Sequence, residues 1–178
     1  MKLQVLFIPL LWLMLALPAQ AASSQEIDAK ATEAMQRFYQ HSSAGRELAE
    51  RAAGVLVFPE VYKAGVGIGG EYGEGALRVS GVTVDYYSTA AASIGFQLGA
   101  QIKSQVILFM TQDALNRFRR GDGWEAGVDG SVAIADIGAG GTIDSNTLQS
   151  PIIGFIFSNK GLMYNLTLEG SKFTRMNK

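Results

Sequence analysis

The chain has 178 residues, 48% of them hydrophobic, with 15 Lys+Arg against 16 Asp+Glu, a single histidine and no cysteine. A net charge of −1 excludes bulk attraction to nucleic acid, and the lack of cysteine excludes disulfide staples, a thiol nucleophile and a thioether-linked lipid anchor. Glycine is abundant, 21 residues against 4 prolines, a balance that points to crowded strands and turns and away from disorder.

Residues 1–21 begin with Lys2, continue through an apolar run over 5–17, and end in Ala19-Gln20-Ala21, a small-x-small cleavage site. The run falls short of the roughly 20 apolar residues a spanning helix needs and is interrupted by Pro9. It reads as a secretory signal cleaved near Ala21. The remainder, 22–178, is expected to be one periplasmic or secreted domain, helical over 23–53 and β-rich over 54–173.

Ser23-x-x-Glu26 has the form of a capping box, and behind it Ile27, Ala31, Ala34 and Phe38 recur at helical spacing. A first helix should run to about Gln40. After the Ser42-Ser43 break, Leu48, Ala49, Ala52 and Ala53 predict a second helix, stopped by Gly54. From there the period changes to two. Expected strands cover 55–58, ending at Pro59, then 76–79, the Ser80-Gly81 turn, 82–87, 93–102 and 105–110. A helix follows over 111–121 with Thr111 as N-cap, then strands over 128–134, 152–157 and 162–168, the last two joined by Ser158-Asn-Lys-Gly161. The fold class is therefore α+β: N-terminal helices followed by a strongly bent antiparallel sheet or barrel with one inserted helix.

Between Ala64 and Ala76 the glycines include Gly65-Val-Gly67-Ile-Gly69-Gly70, which fits the G-x-G-x-x-G spacing of dinucleotide loops. That fingerprint works only at a strand-to-helix turn, where a helix N-terminus meets the pyrophosphate. Here Gly73, Gly75, Val79 and the Ser80-Gly81 turn follow, and no helix does. As a strand, the stretch has Gly65, Gly67 and Gly69 on one face, so something bulky must approach it: a helix or an aromatic ring, or else a ligand.

Catalytic constellations are sparse. His41 stands at a polar helix end, and Asp122, Glu125 and Asp129 lie among turn-forming glycines without the order of a calcium loop. Glu71 with Glu74, or Asp129 with Asp136, are the carboxylate pairs that a hydrolase acting on an envelope polymer would need. Neither pair carries a sign of burial. No enzymatic activity, cofactor or metal is expected. Arg117, Arg119 and Arg120 complement the dipole of the inserted helix, whereas Lys63 and Lys160 sit at strand ends with no such role. Such a local cation pair suits a lipid head group.

The segments Lys63-Ala-Gly-Val-Gly-Ile-Gly-Gly70, Gly99-Ala-Gln-Ile102, Gly130-Ser-Val-Ala133, Phe157-Ser-Asn-Lys-Gly-Leu162 and Leu168-Glu-Gly-Ser171 together resemble the SYLF domain family over about residues 48–173. The resemblance implies a non-enzymatic domain that binds phosphoinositides or other acidic lipids and, in fungi, actin. It places Lys63 and Lys160, with Gly65, Gly67 and Gly69, at the lipid-binding surface. An exported bacterial member would meet no actin and little phosphoinositide, so the expected partner is anionic lipid or a membrane surface, the alternative being an envelope protein. The N-terminal helix, with only Lys30 and Arg37 as cations among Ile27, Met35 and Phe38, is expected to pack on the sheet and not to lie in a membrane surface.

Overall fold

The fold was described from a computed structural model, which defines residues 22–95, 101–135, 143–158, 161–162 and 166–178. The expected signal segment, Asp136 and Lys160 lie outside the described residues.

Two serines start the two N-terminal helices, α1 (Ser24–His41) and α2 (Ser43–Arg51). Ser23 Oγ accepts the Glu26 N–H at 3.2 Å and Ser42 Oγ accepts the Gly45 N–H at 2.8 Å, each satisfying a donor the helix leaves unpaired. The Glu26 carboxylate reaches forward to Lys30, 2.9 Å away. Helix α2 stops at Arg51, before the expected glycine, because Gly54 has another task. A Cβ at Gly54 would stand 2.8 Å from the Leu115 side chain, so the glycine admits a helix to the start of the sheet.

Strand β1 (Gly54–Val79) is 26 residues long and includes every glycine of the 64–76 stretch. Pro59 does not end it. The register against β3 (Gln101–Phe109) shifts between Phe58 and Val61, and this bulge takes up the proline, a residue with no N–H to give the ladder. Ser80 (φ 51°) and Gly81 (φ 80°) make the expected tight turn into β2 (Val82–Gly95), with positive φ at both central positions. Strand β2 pairs with the far half of β1, from Val79↔Val82 to Gly67↔Gly95, and β3 pairs with the near half, from Lys63↔Gln101 to Gly54↔Phe109. Of the strand expected over 93–102, the described parts belong to β2 and β3, with Phe96, Leu98 and Ala100 outside the described residues.

The rest of the chain gives α3 (Gln112–Arg119), β4 (Gly123–Glu125), β5 (Ala133–Ile134), α4 (Ser145–Leu148), β6 (Ile152–Ser158), β7 (Gly161–Leu162) and β8 (Lys172–Met176). Thr111 caps α3, its Oγ1 accepting the Ala114 N–H. The sheet runs in the order β4-β8-β2-β1-β3-β6-β5, with β7 hairpinned on β6, and curls into a half-barrel. One pairing departs from the expected antiparallel sheet, since β5 lies parallel to β6. Residues 128–134 were expected as strand, yet only the last two are; Gly127 (φ 88°) opens a turn instead. Likewise 166–168 are not strand, and β8 beyond them carries the pairing to β2 and β4.

Alternation along the strands builds two cores. Val57, Val106, Leu108, Ile153, Phe155 and Phe157 meet Ile27, Ala31, Ala34, Met35 and Phe38 of α1. Leu56, Phe58, Ile107, Phe109, Ile156 and Phe173 point the other way, where they pack with Leu115 and Phe118 of α3. Helix α1 thus spends its apolar face on the sheet, as its composition predicts. Asp28 fixes its position: the carboxylate accepts Thr83 Oγ1 at 2.7 Å and Tyr86 Oη at 2.8 Å. Asp28→Ala should cost about 2 kcal/mol, since it strands two hydroxyls bonded to a charged acceptor, and a fall in the thermal midpoint against wild type would measure it.

Candidate functional site at the bend of the sheet

The midpoint of β1 doubles back so tightly that glycine is required. Gly65 has φ 155°, which side-chain-bearing residues rarely adopt, and a Cβ on it would collide with the Gly69 Cα. A Cβ on Gly69 would collide with the Ala64 carbonyl. Further along, Gly73 lies over the Glu60 carbonyl (2.6 Å from an added Cβ) and Gly75 over the Val57 carbonyl and the Phe58 ring. Gly67 is paired with Gly95 across the ladder. The occupant of the glycine face is therefore not the expected helix. It is the strand's own backbone, joined by one aromatic ring at Gly75.

The bend assembles a charged cluster. Lys103, on β3, is 7% exposed, and its Nζ lies 2.7 Å from Glu71 Oε2. Lys63 Nζ lies 3.6 Å from the other carboxylate oxygen, Glu71 Oε1, with its side chain 20% exposed. Lys103 follows the alternation of Ile107 and Phe109, which puts the cluster on the face of the sheet that α3 packs against. Glu71 is committed mainly to Lys103. The three groups sum to one net positive charge, and Lys63 is the cation nearer to solvent.

Flanking this cluster, the opposite face of the bend is apolar and exposed. Tyr62 and Ile102 are ladder partners, Ile102 being 54% and Ile68, near the tip, 79% exposed. Tyr72 is exposed as well. Tyr62 and Tyr72 also border a cavity of about 370 Å³ between the start of α1 and β1, together with Glu26, Lys30, Glu60 and Glu74. Lys30, held by hydrogen bonds to Glu26 and Glu60, has its pKa raised well above the ordinary lysine range, and Glu60 is lowered from the ordinary carboxylate value chiefly by its bond to Lys30. With a depressed folded-state pKa, Glu60 adds stability above the unfolded carboxylate pKa of about 4.3 and loses it as pH falls below that. Glu60→Gln should accordingly lower stability at neutral pH, leave it little changed below about pH 4, and so flatten the acid limb of a stability-versus-pH curve.

The remaining sequence candidates have structural employment. Glu71 and Glu74 do not form a carboxylate pair: Glu71 faces the lysines, while Glu74 accepts the Tyr72 hydroxyl at 3.0 Å and sits 3.3 Å from Lys178 Nζ. Asp129 accepts the Glu125 N–H at 2.7 Å and so closes a turn, and the Asp122 carbonyl accepts the Arg175 N–H. Arg119 pairs with Asp85 at 2.9 Å and Arg117 with Asp113 at 3.2 Å. His41 ends α1 near the Phe157 ring. Among the described residues, no group of three His, Cys, Asp or Glu side chains is placed to hold a metal ion. Lys103 was missed from the sequence because it lies on a strand whose other residues are nearly all buried, and only the fold of β1 brings Glu71 to it.

Residues 90–178 match the Ysc84 family model, described as Las17-binding protein actin regulator. The chain belongs to this family, the SYLF domains. The match begins in β2 and covers the second half of the chain, so Lys103 falls within the SYLF match while the glycine bend and Lys63 precede it. The family is one of binding and regulatory domains and is not a known enzyme class. No curated protein matches the chain.

Proposed function

We propose that this protein binds anionic lipid surfaces without catalysis, through the bent end of the half-barrel, and that it does so in the bacterial envelope after export. The observation that carries the reading is that one end of the sheet presents a net-positive Lys63–Glu71–Lys103 cluster on one face and exposed Ile68, Ile102 and Tyr62 on the other. A cation near solvent attracts phosphate, and apolar side chains at the same end of the sheet enter the acyl boundary. Membership in a binding family and the structural use of the candidate catalytic carboxylates support the same reading. Lys160, which lies outside the described residues, is proposed as a second cation of the surface on the SYLF resemblance alone.

Co-sedimentation of the 22–178 chain with phosphatidylglycerol-containing vesicles, against phosphatidylcholine alone and at low and moderate salt, tests it. Binding should be confined to anionic vesicles and weaken with salt. Lys63→Gln combined with Lys160→Gln should lower the affinity at least tenfold, from about 1 kcal/mol per lysine. Equal binding to both vesicle types, or none, would remove lipid from the account and favour a protein occupant of the exposed tyrosine and isoleucine patch.

A further inference from the structure

The start of the described chain makes a specific contact. Ala22, at the edge of the α1 core, donates its backbone N–H to Glu74 Oε2 at 3.1 Å. Lys178 closes the arrangement from the other terminus, its Nζ donating to the Ala22 carbonyl and lying 3.3 Å from the same Glu74 oxygen. The Glu74 side chain is 12% exposed. A carboxylate so far withdrawn from water is aimed at the one backbone nitrogen that becomes a cation if the chain is cut after Ala21.

We propose that signal cleavage at Ala21–Ala22 creates a structural ion pair, in which the new α-ammonium of Ala22 is captured by Glu74 and ties the amino terminus, β1 and the carboxyl terminus together. The step is hydrolysis by a signal-peptidase-type enzyme. Water adds across the peptide bond as the C–N bond breaks, its oxygen going to the Ala21 carbonyl carbon, which leaves as carboxylate, and both its hydrogens ending on the Ala22 nitrogen as ammonium. Before cleavage that nitrogen is a neutral amide donor; afterwards it is an ammonium bonded to a half-enclosed carboxylate, which is the stronger contact.

The electrostatic surroundings favour this arrangement. Facing the new terminus are Glu74 and Tyr72 from β1, Glu26 and Lys30 from α1, Glu60 and Tyr62 from the near half of β1, and Lys178 beyond β8. Lys30 is already bonded to Glu26 and Glu60, and Lys178 competes for Glu74. The positive end of α1 also disfavours a cation there. Glu74 is the group that has to outweigh both, and its direct contact with the nitrogen lets it.

The inference rests on cleavage after Ala21 and not on lipid binding, so the two fail separately. Mass spectrometry of the exported protein fixes the first residue; any start other than Ala22 overturns the proposal. In the mature protein, 13C reductive methylation of the α-amino group followed by NMR titration reads its pKa directly. It should lie above the roughly 7.7–8.0 of a free amino terminus, and it should return to that range in Glu74→Gln and in a chain that keeps residues 19–21, whose terminus is displaced by about three residues of up to 3.6 Å each. A folded-state pKa that is raised gives stability present below about pH 8 and lost as pH rises through the folded value, so the alkaline limb of the thermal midpoint should steepen in the mature protein only. Identical amino-terminal pKa values in all three proteins would overturn the ion pair, even if Glu74→Gln lowered stability for another reason.

Discussion

Replacing Gly75 with valine is expected to abolish stable folding or to cost about 3 kcal/mol or more, read as loss of the cooperative denaturation transition. The added atoms would have to enter the space of the Val57 carbonyl and the Phe58 ring. Backbone cannot retreat there without opening the ladder that β1 makes with β3, so the cost is that of overpacking a rigid site. The same substitution logic predicts the opposite outcome five residues earlier. An alanine Cβ at Gly70 would find its nearest neighbour, the Ala91 carbonyl, 3.7 Å away, an ordinary contact. Gly70→Ala should be neutral or slightly stabilising, because it restricts the unfolded chain without strain. Equal losses for the two variants would mean that the bend does not pack as described.

Lys103→Met is the second substitution with a large expected effect. It removes the closer partner of Glu71 at a nearly enclosed site and leaves the carboxylate to Lys63, 3.6 Å away. Breaking a buried pair from one side commonly costs about 3–5 kcal/mol, and the lower end is expected here because Lys63 remains. Combining it with Glu71→Leu should recover most of the loss, since an apolar pair strands no charge. Urea denaturation of the two single variants and the double variant measures the coupling. Additive losses would show that Glu71 and Lys103 do not depend on one another.

Much of this architecture was legible from local chemistry. Ser23, Ser42 and Thr111 announce helix starts because their hydroxyls can satisfy backbone donors, and Ser80-Gly81 announces a hairpin because few other pairs accept positive φ twice. What the sequence conceals is non-local. Pro59 looked like a strand end because a proline breaks a regular ladder, and only the register of β3 reveals the bulge that accommodates it. Strands β4 and β8 are short, and they are strands because they find β2 and each other, not because of their own pattern. The glycine face was recognisable as a site of close approach, while the approaching group, β1 itself, depends on a doubling of the chain at Gly65 and Gly69.

The candidate site was half legible for the same reason. Lys63 stands out as a strand-end cation, but its partner Glu71 lies eight positions on and becomes a neighbour only through the bend. Lys103 arrives from a third segment. Its charge is hidden in a sequence window whose other members, Val106, Ile107, Leu108 and Phe109, are core. Ile68 and Ile102 read as ordinary strand residues, and nothing in their local pattern announces their exposure. A surface of this kind is written in tertiary placement.

The absence of cysteine allows a single reporter at the decisive position. Ile68→Cys carrying the polarity-sensitive label NBD, compared with the same label at Val82→Cys on the exposed hairpin at the far end of β1, tests directly which end of the half-barrel meets lipid. On adding phosphatidylglycerol-containing vesicles, the label at 68 should brighten and shift to the blue while the label at 82 stays unchanged. A response at 82 alone, or at neither position while the protein still sediments with the vesicles, would contradict a lipid surface at the bend.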